Sequence, residues 1–167
     1  MKKSLIMLVL FIVPFALQAQ TKFHDVEAND AKGAVKSITV SMMGQSQKIT
    51  FTQDGKQEGL NKAVYDEEGY LKSAEQENQM GTMKVTYTWE NGRIKSQTTN
   101  MMGQDMPVKF VYNDKGELIK QSMSMMGQDM TIEFSDYKYD DNGNWISRKT
   151  SVMGQSMDTP RTIEYYK

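Results

Sequence analysis

The chain has 167 residues, no cysteine, a single histidine and a formal net charge of −1. Disulfides are thereby excluded, a zinc cluster or a histidine-based triad lacks its parts, and no lysine or arginine surplus points to nucleic acid, whose phosphates require one. The length suits one domain able to bury a sizeable core.

Residues 1–19 read as a secretory signal peptide. Lys2 and Lys3 give a positive start, Leu5 to Ala16 form an apolar run broken only by Pro14, and Ala19 supplies a small residue at the cleavage position before Gln20. The run falls short of the about 20 apolar residues that a spanning helix needs. With no cysteine, no lipid can be attached there. The expected product is soluble, periplasmic or extracellular, not a lipoprotein, and without membrane insertion after cleavage. Residues 20–34 follow, carrying His24, and are expected to be loosely ordered, as termini commonly are.

Residues 35–167 read as a single β-hairpin-repeat domain in which two turn signatures alternate. One is an aromatic residue, a polar or acidic stretch, then glycine: Phe51 to Gly55, Tyr65 to Gly69, Trp89 to Gly92, Tyr112 to Gly116 and Tyr139 to Gly143. The other is methionine-glycine, at Met43-Gly44, Met80-Gly81, Met102-Gly103, Met126-Gly127 and Met153-Gly154. The spacing fits a strand of about six residues plus a turn, repeated. Asn91-Gly92 suits a two-residue type I′ turn, and Gly116 and Gly127 are expected at positive φ.

Between the turns the apolar residues alternate. Ile38, Val40 and Met42 oppose Thr39 and Ser41. Val85, Tyr87 and Trp89 oppose Lys84, Thr86 and Thr88. Val108, Phe110 and Tyr112 oppose Lys109, and Ile132 and Phe134 oppose Glu133. This is the period of an antiparallel sheet with one dry face. The expected fold is all-β: an antiparallel meander curled into an open barrel or roll, with a two-sheet sandwich as second choice. Gln53 to Lys62 breaks the rhythm and reads as a seam in the sheet. Asp136 to Tyr139 adds residues and suggests a bulge.

Tyr65-Asp-Glu-Glu-Gly-Tyr-Leu, Tyr112-Asn-Asp-Lys-Gly-Glu-Leu and Tyr139-Asp-Asp-Asn-Gly-Asn-Trp resemble the YD repeat, Tyr-Asp-x-x-Gly-x-apolar, of Rhs-type proteins. The likeness covers roughly residues 63 to 167, and more loosely from Val35, and the stretch from Tyr139 to Lys149 looks especially like small exported YD-repeat-like proteins of bacteria. Trp89-Glu-Asn-Gly92 is one residue short of the pattern, and Phe51 stands where the tyrosine belongs. The resemblance implies hairpin architecture and a suspected link to carbohydrate binding. It implies no catalytic residues.

The turns place acidic residues at one end of the sheet, among them Asp54, Asp66, Glu90, Asp114, Asp140 and Asp141, where Asp and Asn commonly hold backbone amides. Asp140-Asp141-Asn142-Gly143 fails as a calcium loop, because Lys138 and Lys149 would occupy its first and last ligand positions. Methionine is the oddity, with fifteen in the chain. Alternation gathers Met43, Met102, Met126 and Met153 at the opposite end, together with Met42, Met101, Met106, Met125, Met130 and Met157. They read as flexible filler of a curled core, as an adaptable binding surface, or as thioether ligands for copper(I). Trp89, Trp145 and several tyrosines would stack on sugar rings if exposed, but the dry face claims Trp89 and Tyr87 for the core.

The expected function is non-enzymatic: an extracytoplasmic binding or scaffold module whose partner is a carbohydrate or an envelope protein, with no cofactor and no nucleic acid. The candidate binding residues are Met43, Met102, Met126 and Met153. The alternative is a periplasmic protein handling copper(I) through the methionine edge. A hydrolase using an acidic pair ranks third.

Overall fold

The computed structural model describes residues 22–167 except 43, 79, 80, 102, 126 and 127. Residues 1–19, expected to form a signal peptide, three of the four candidate methionines and Gly127 lie outside the described residues. Among the described residues, eleven strands follow one four-residue helix, α1 (Asp25–Ala28). They are β1 (Val35–Met42), β2 (Gln45–Thr50), β3 (Asn61–Tyr65), β4 (Leu71–Asn78), β5 (Gly81–Glu90) and β6 (Arg93–Met101), then β7 (Gln104–Tyr112), β8 (Leu118–Met125), β9 (Gln128–Tyr139), β10 (Trp145–Val152) and β11 (Gln155–Tyr165). All pair antiparallel in one sheet of order β2-β1-β11-β10-β9-β8-β7-β6-β5-β4-β3. The sheet is not closed into a barrel, so the open roll is the form adopted and the two-sheet sandwich is not.

The order explains the curl. β2 and β3 are the two outer edges, yet only residues 51–60 join them. In a flat sheet ten strand spacings would separate these edges by about 48 Å. A ten-residue link reaches about 36 Å even fully extended, and this one is shortened by turns at Gly55 and Gly59, both at positive φ. The edges must therefore approach each other. Phe51 bridges Gln57, and the Glu58 N–H donates to the Thr50 carbonyl at 2.9 Å, so the link first folds back along β2. Gln53 to Lys62 is the expected seam.

Alternation along the strands is as the pattern requires. On β5, Val85 is buried and Met83, Tyr87 and Trp89 are half-buried, while Lys84, Thr86 and Thr88 are exposed. β7 alternates in the same way from Met106 to Tyr112. One core cluster joins Val26, Ala31, Val35, Ile38 and Phe51. Along the inner face, Leu71, Val85, Ile94, Leu118, Phe134 and Trp145 are also buried.

The repeat has a physical basis in two recurring bonds. In each long acidic turn the second residue of the motif accepts two backbone N–H groups: Asp66 from Glu68 and Tyr70, Asn113 from Lys115 and Glu117, Asp140 from Asn142 and Asn144. Thr52 takes that place before Gly55, its hydroxyl accepting from the Lys56 N–H. An inner-face aromatic then ties each hairpin to the preceding strand. The Trp89 indole N–H donates to the Leu71 carbonyl, the Tyr112 hydroxyl to that of Ile94, and the Tyr137 hydroxyl to that of Leu118. In the last repeat the bond comes from Tyr137 rather than Tyr139, because a bulge at Asp136, φ +53°, shifts the register against β10.

The N-terminal segment corrects the expectation of loose order. Asp25 and Val26 are each 1% exposed, and the ring of His24 stacks on Tyr70 at 4.0 Å. The segment closes one end of the roll and reaches both of its edges. Asp25 Oδ2 accepts from the Tyr65 hydroxyl on β3 at 2.6 Å and from the Gln57 N–H at 2.8 Å. It is held because its partners lie far along the chain, a relation that no local pattern announces.

Burial pushes the Asp25 carboxyl above its ordinary value, against the pull of the Tyr65 hydroxyl, the Gln57 N–H, Lys56 and His24. The folded chain then takes up this proton at a higher pH than the unfolded chain does. Stability of the natural protein relative to Asp25→Asn is expected to be level at neutral pH, to rise as pH falls through the raised value, and to level off below the usual carboxylate range. Urea titrations of both proteins at a series of pH values measure this difference, and a falling difference would contradict it.

Candidate functional site

The meander sends the acidic turns to one end of the roll and the turn at Met153-Gly154 to the other. At the acidic end the β5–β6, β7–β8 and β9–β10 turns and the stretch after α1 surround a cavity of about 270 Å³. The walls are tyrosine and tryptophan from strand ends, with charged groups at the rim.

Asn144 fixes the N-terminal wall. Its side-chain oxygen accepts from the Lys32 N–H at 2.8 Å, and its amide donates to the Lys32 carbonyl at 2.9 Å and to the Tyr165 hydroxyl at 2.8 Å. It thus pairs with one backbone residue as another strand would. The corresponding positions of the earlier turns are Tyr70 and Glu117. That departure from the repeat is the one sequence signal that singles out Asn144, and sequence reasoning passed over it.

Beneath the cavity lies a charged cluster. Arg148 approaches Asp30 at 3.6 Å and donates to the Tyr137 hydroxyl at 3.2 Å. Arg161 donates to the Asn29 and Asp30 carbonyls at 3.2 and 3.0 Å. Their guanidinium carbons lie 4.2 and 4.0 Å from the centre of the Trp145 ring. Trp145 is buried, and its indole N–H faces the Asp30 carboxylate without a hydrogen bond of good geometry. Burial raises the Asp30 carboxyl, although both arginines, the indole and Arg93 oppose the rise. Burial also lowers the Arg161 guanidinium to about 10.

Towards the mouth, the Tyr139 ring is 45% exposed and stacks on Tyr137 at 6.0 Å. Its hydroxyl donates to Glu117 Oε1, while Asn113 donates to Glu117 Oε2. These bonds hold the Glu117 carboxyl below its ordinary value. Burial pushes the Tyr112 hydroxyl up to about 12 and raises those of Tyr137 and Tyr139. All three phenols are neutral hydrogen-bonding groups at ordinary pH. The Arg93 guanidinium rests against Gly116, where a Cβ would come within 2.0 Å of it, and Lys32 Nζ rests against Gly143. Both glycines have the positive φ expected of their turns.

Of the candidate methionines, Met43, Met102 and Met126 lie outside the described residues. Met153 stands at the end opposite the cavity, 84% exposed. Filler of a curled core does not describe it, because a two-residue turn carries its side chain past the last strand pair, Val152–Gln155. The half-buried methionines Met83, Met106, Met123, Met130 and Met157 belong to the inner face. Met153 has φ +50° and Gly154 φ +80°, matching +53° and +73° at Asn91 and Gly92. Asparagine tolerates this region better than an unbranched apolar residue does. Met153→Asn is therefore expected to gain about 0.5 kcal/mol in chemical denaturation; a loss of stability would show that the thioether makes compensating contacts.

No family model matches the chain, and no curated protein matches it. Among the described residues no group of three or more His, Asp or Glu is placed to hold a metal ion, and no helix is long and apolar enough to cross a membrane.

Proposed function

We propose that this chain is an exported, non-enzymatic β-repeat module that binds a carbohydrate in the cavity at the acidic-turn end. The observation that carries the reading is the Tyr139 ring. It is exposed at the mouth, and Tyr137 behind it and Glu117 at its hydroxyl already hold it in place. A fixed aromatic face beside hydrogen-bonding side chains suits a sugar, whose rings carry C–H patches between hydroxyls. Fixing the ring in advance removes the ordering cost from binding. Arg93 and Lys32, seated on turn glycines, and the Glu117 carboxylate offer donors and acceptors to those hydroxyls. The cavity lies just under the roughly 300 Å³ where drug-sized sites begin, which favours one or two sugar units. The resemblance to YD repeats and the signal-like residues 1–19 support the same reading.

Calorimetric titration of the protein lacking residues 1–19 with a panel of neutral and acidic saccharides tests it. At least one should bind, and Tyr139→Ala should weaken that binding about tenfold with little change in the melting curve. A panel without a single binder, or full affinity in Tyr139→Ala, would refute the proposal.

A further inference from the structure

The cavity makes no use of the methionine-glycine pairs, which recur in the sequence as often as the acidic turns. Met153 combines three properties. Its side chain is 84% exposed, against 44% for Met42 and half-burial for Met106, Met123, Met130 and Met157. It occupies the first position of a two-residue turn, so no strand partner depends on it. Its backbone lies at φ +50°, a left-handed conformation that an unbranched apolar residue does not favour. An apolar residue at such a site contributes neither burial nor turn preference. What it does present to solvent is a thioether sulfur.

We infer that Met153 is an oxidant-reactive site, at which the chain takes up oxygen from hypochlorous acid or hydrogen peroxide as methionine sulfoxide without loss of fold. The sulfur lone pair attacks the oxidant, the oxygen is transferred to sulfur, and chloride with a proton, or water, is released. The sulfur is oxidised by two electrons and the oxidant reduced by two. The sulfoxide is polar, and at this turn water solvates it at once. The same change on the inner face places a polar oxygen in a half-dry interior, where Met123 pairs with Met130 across β8 and β9. Exposure thus sorts the methionines into a turn position that tolerates oxidation and an inner face that does not. The partner this chemistry calls for is a peptide methionine sulfoxide reductase, which restores the thioether and resets the site. The segments Ser41-Met-Met-Gly-Gln, Asn100-Met-Met-Gly-Gln and Ser124-Met-Met-Gly-Gln repeat the sequence around Met153 almost residue for residue.

Substoichiometric hypochlorous acid followed by peptide mapping tests the proposal. Met153 sulfoxide should form about tenfold faster than sulfoxide at Met106, Met123 or Met157, following exposure. Protein oxidised at Met153 should keep its melting temperature, and a methionine sulfoxide reductase should return it to the original mass without denaturant. Met153→Leu should remove that fast-forming sulfoxide and leave the inner-face rates unchanged. Equal rates at all mapped methionines, a fall in melting temperature accompanying Met153 oxidation alone, or failure of the reductase on the folded protein would each overturn it.

Discussion

Gly69→Ala is expected to destabilise the protein by about 2–3 kcal/mol, well beyond the usual penalty for alanine at a turn glycine. The turn itself accounts for about 1 kcal/mol, since Gly69 has φ +89° and an L side chain is strained there. The remainder comes from the N-terminal segment. A Cβ at Gly69 would lie 2.1 Å from the Lys22 carbonyl oxygen, a backbone atom that cannot rotate aside. The Gly69 carbonyl also accepts the His24 N–H at 3.2 Å, and the stacked His24 and Tyr70 rings lie beside this crossing. Gly59 is the control. It has φ +79°, and a Cβ there would meet nothing within 4 Å, so Gly59→Ala should show the backbone cost alone. Urea midpoints of the two variants measure the difference, and equal losses would mean that the segment yields freely at Gly69.

The outcome bears on what the sequence can disclose. Strand alternation on β5 and β7, the positive-φ glycines and the type I′ turn at Asn91-Gly92 were all legible, because each depends on residues within a few positions. The sheet's true edges were not. Nothing near Val35 says that β1 will pair with β11, since that pairing brings together Ile38 and Ile163 from opposite ends of the chain. The closing of the roll by residues 22–34 was hidden for the same reason. A four-residue helix has no period to detect, and the partners of this segment, Tyr65, Asn144 and Arg161, are scattered over the sequence. The cavity was missed because these turns, neighbours along one end of the meander, enclose a space only once the sheet curls and residues 29–32 lie across it. The methionines drew attention as a composition, but composition could not separate Met153 at its exposed turn from Met106 and Met123 on the inner face.

Arg161→Ala is expected to cost about 3 kcal/mol and to abolish ligand binding at the cavity. Arg161 is 4% exposed, and truncation removes its flat contact with Trp145, leaving space in a packed region. It also removes the donors to the Asn29 and Asp30 carbonyls, which are the covalent continuation of α1. Two acceptors without partners, together with the lost packing, make up the cost. Arg161→Lys should recover little of it, since an ammonium cannot reach both carbonyls as a fork while lying flat on an indole. Arg161→Met separates the terms: it keeps apolar volume over Trp145, drops the desolvation burden that lowers the arginine to about 10, and leaves the carbonyls unanswered. Its loss should fall clearly below that of alanine. Thermal melts rank the three variants, and saccharide titration of each reports whether the wall formed by Asp30, Ala31 and Lys32 is still in place. The order alanine worst, lysine next and methionine mildest would show that packing over Trp145 outweighs both the charge and the carbonyl donors. Lysine mildest would show instead that the charge facing Asp30 holds the N-terminal segment on the roll.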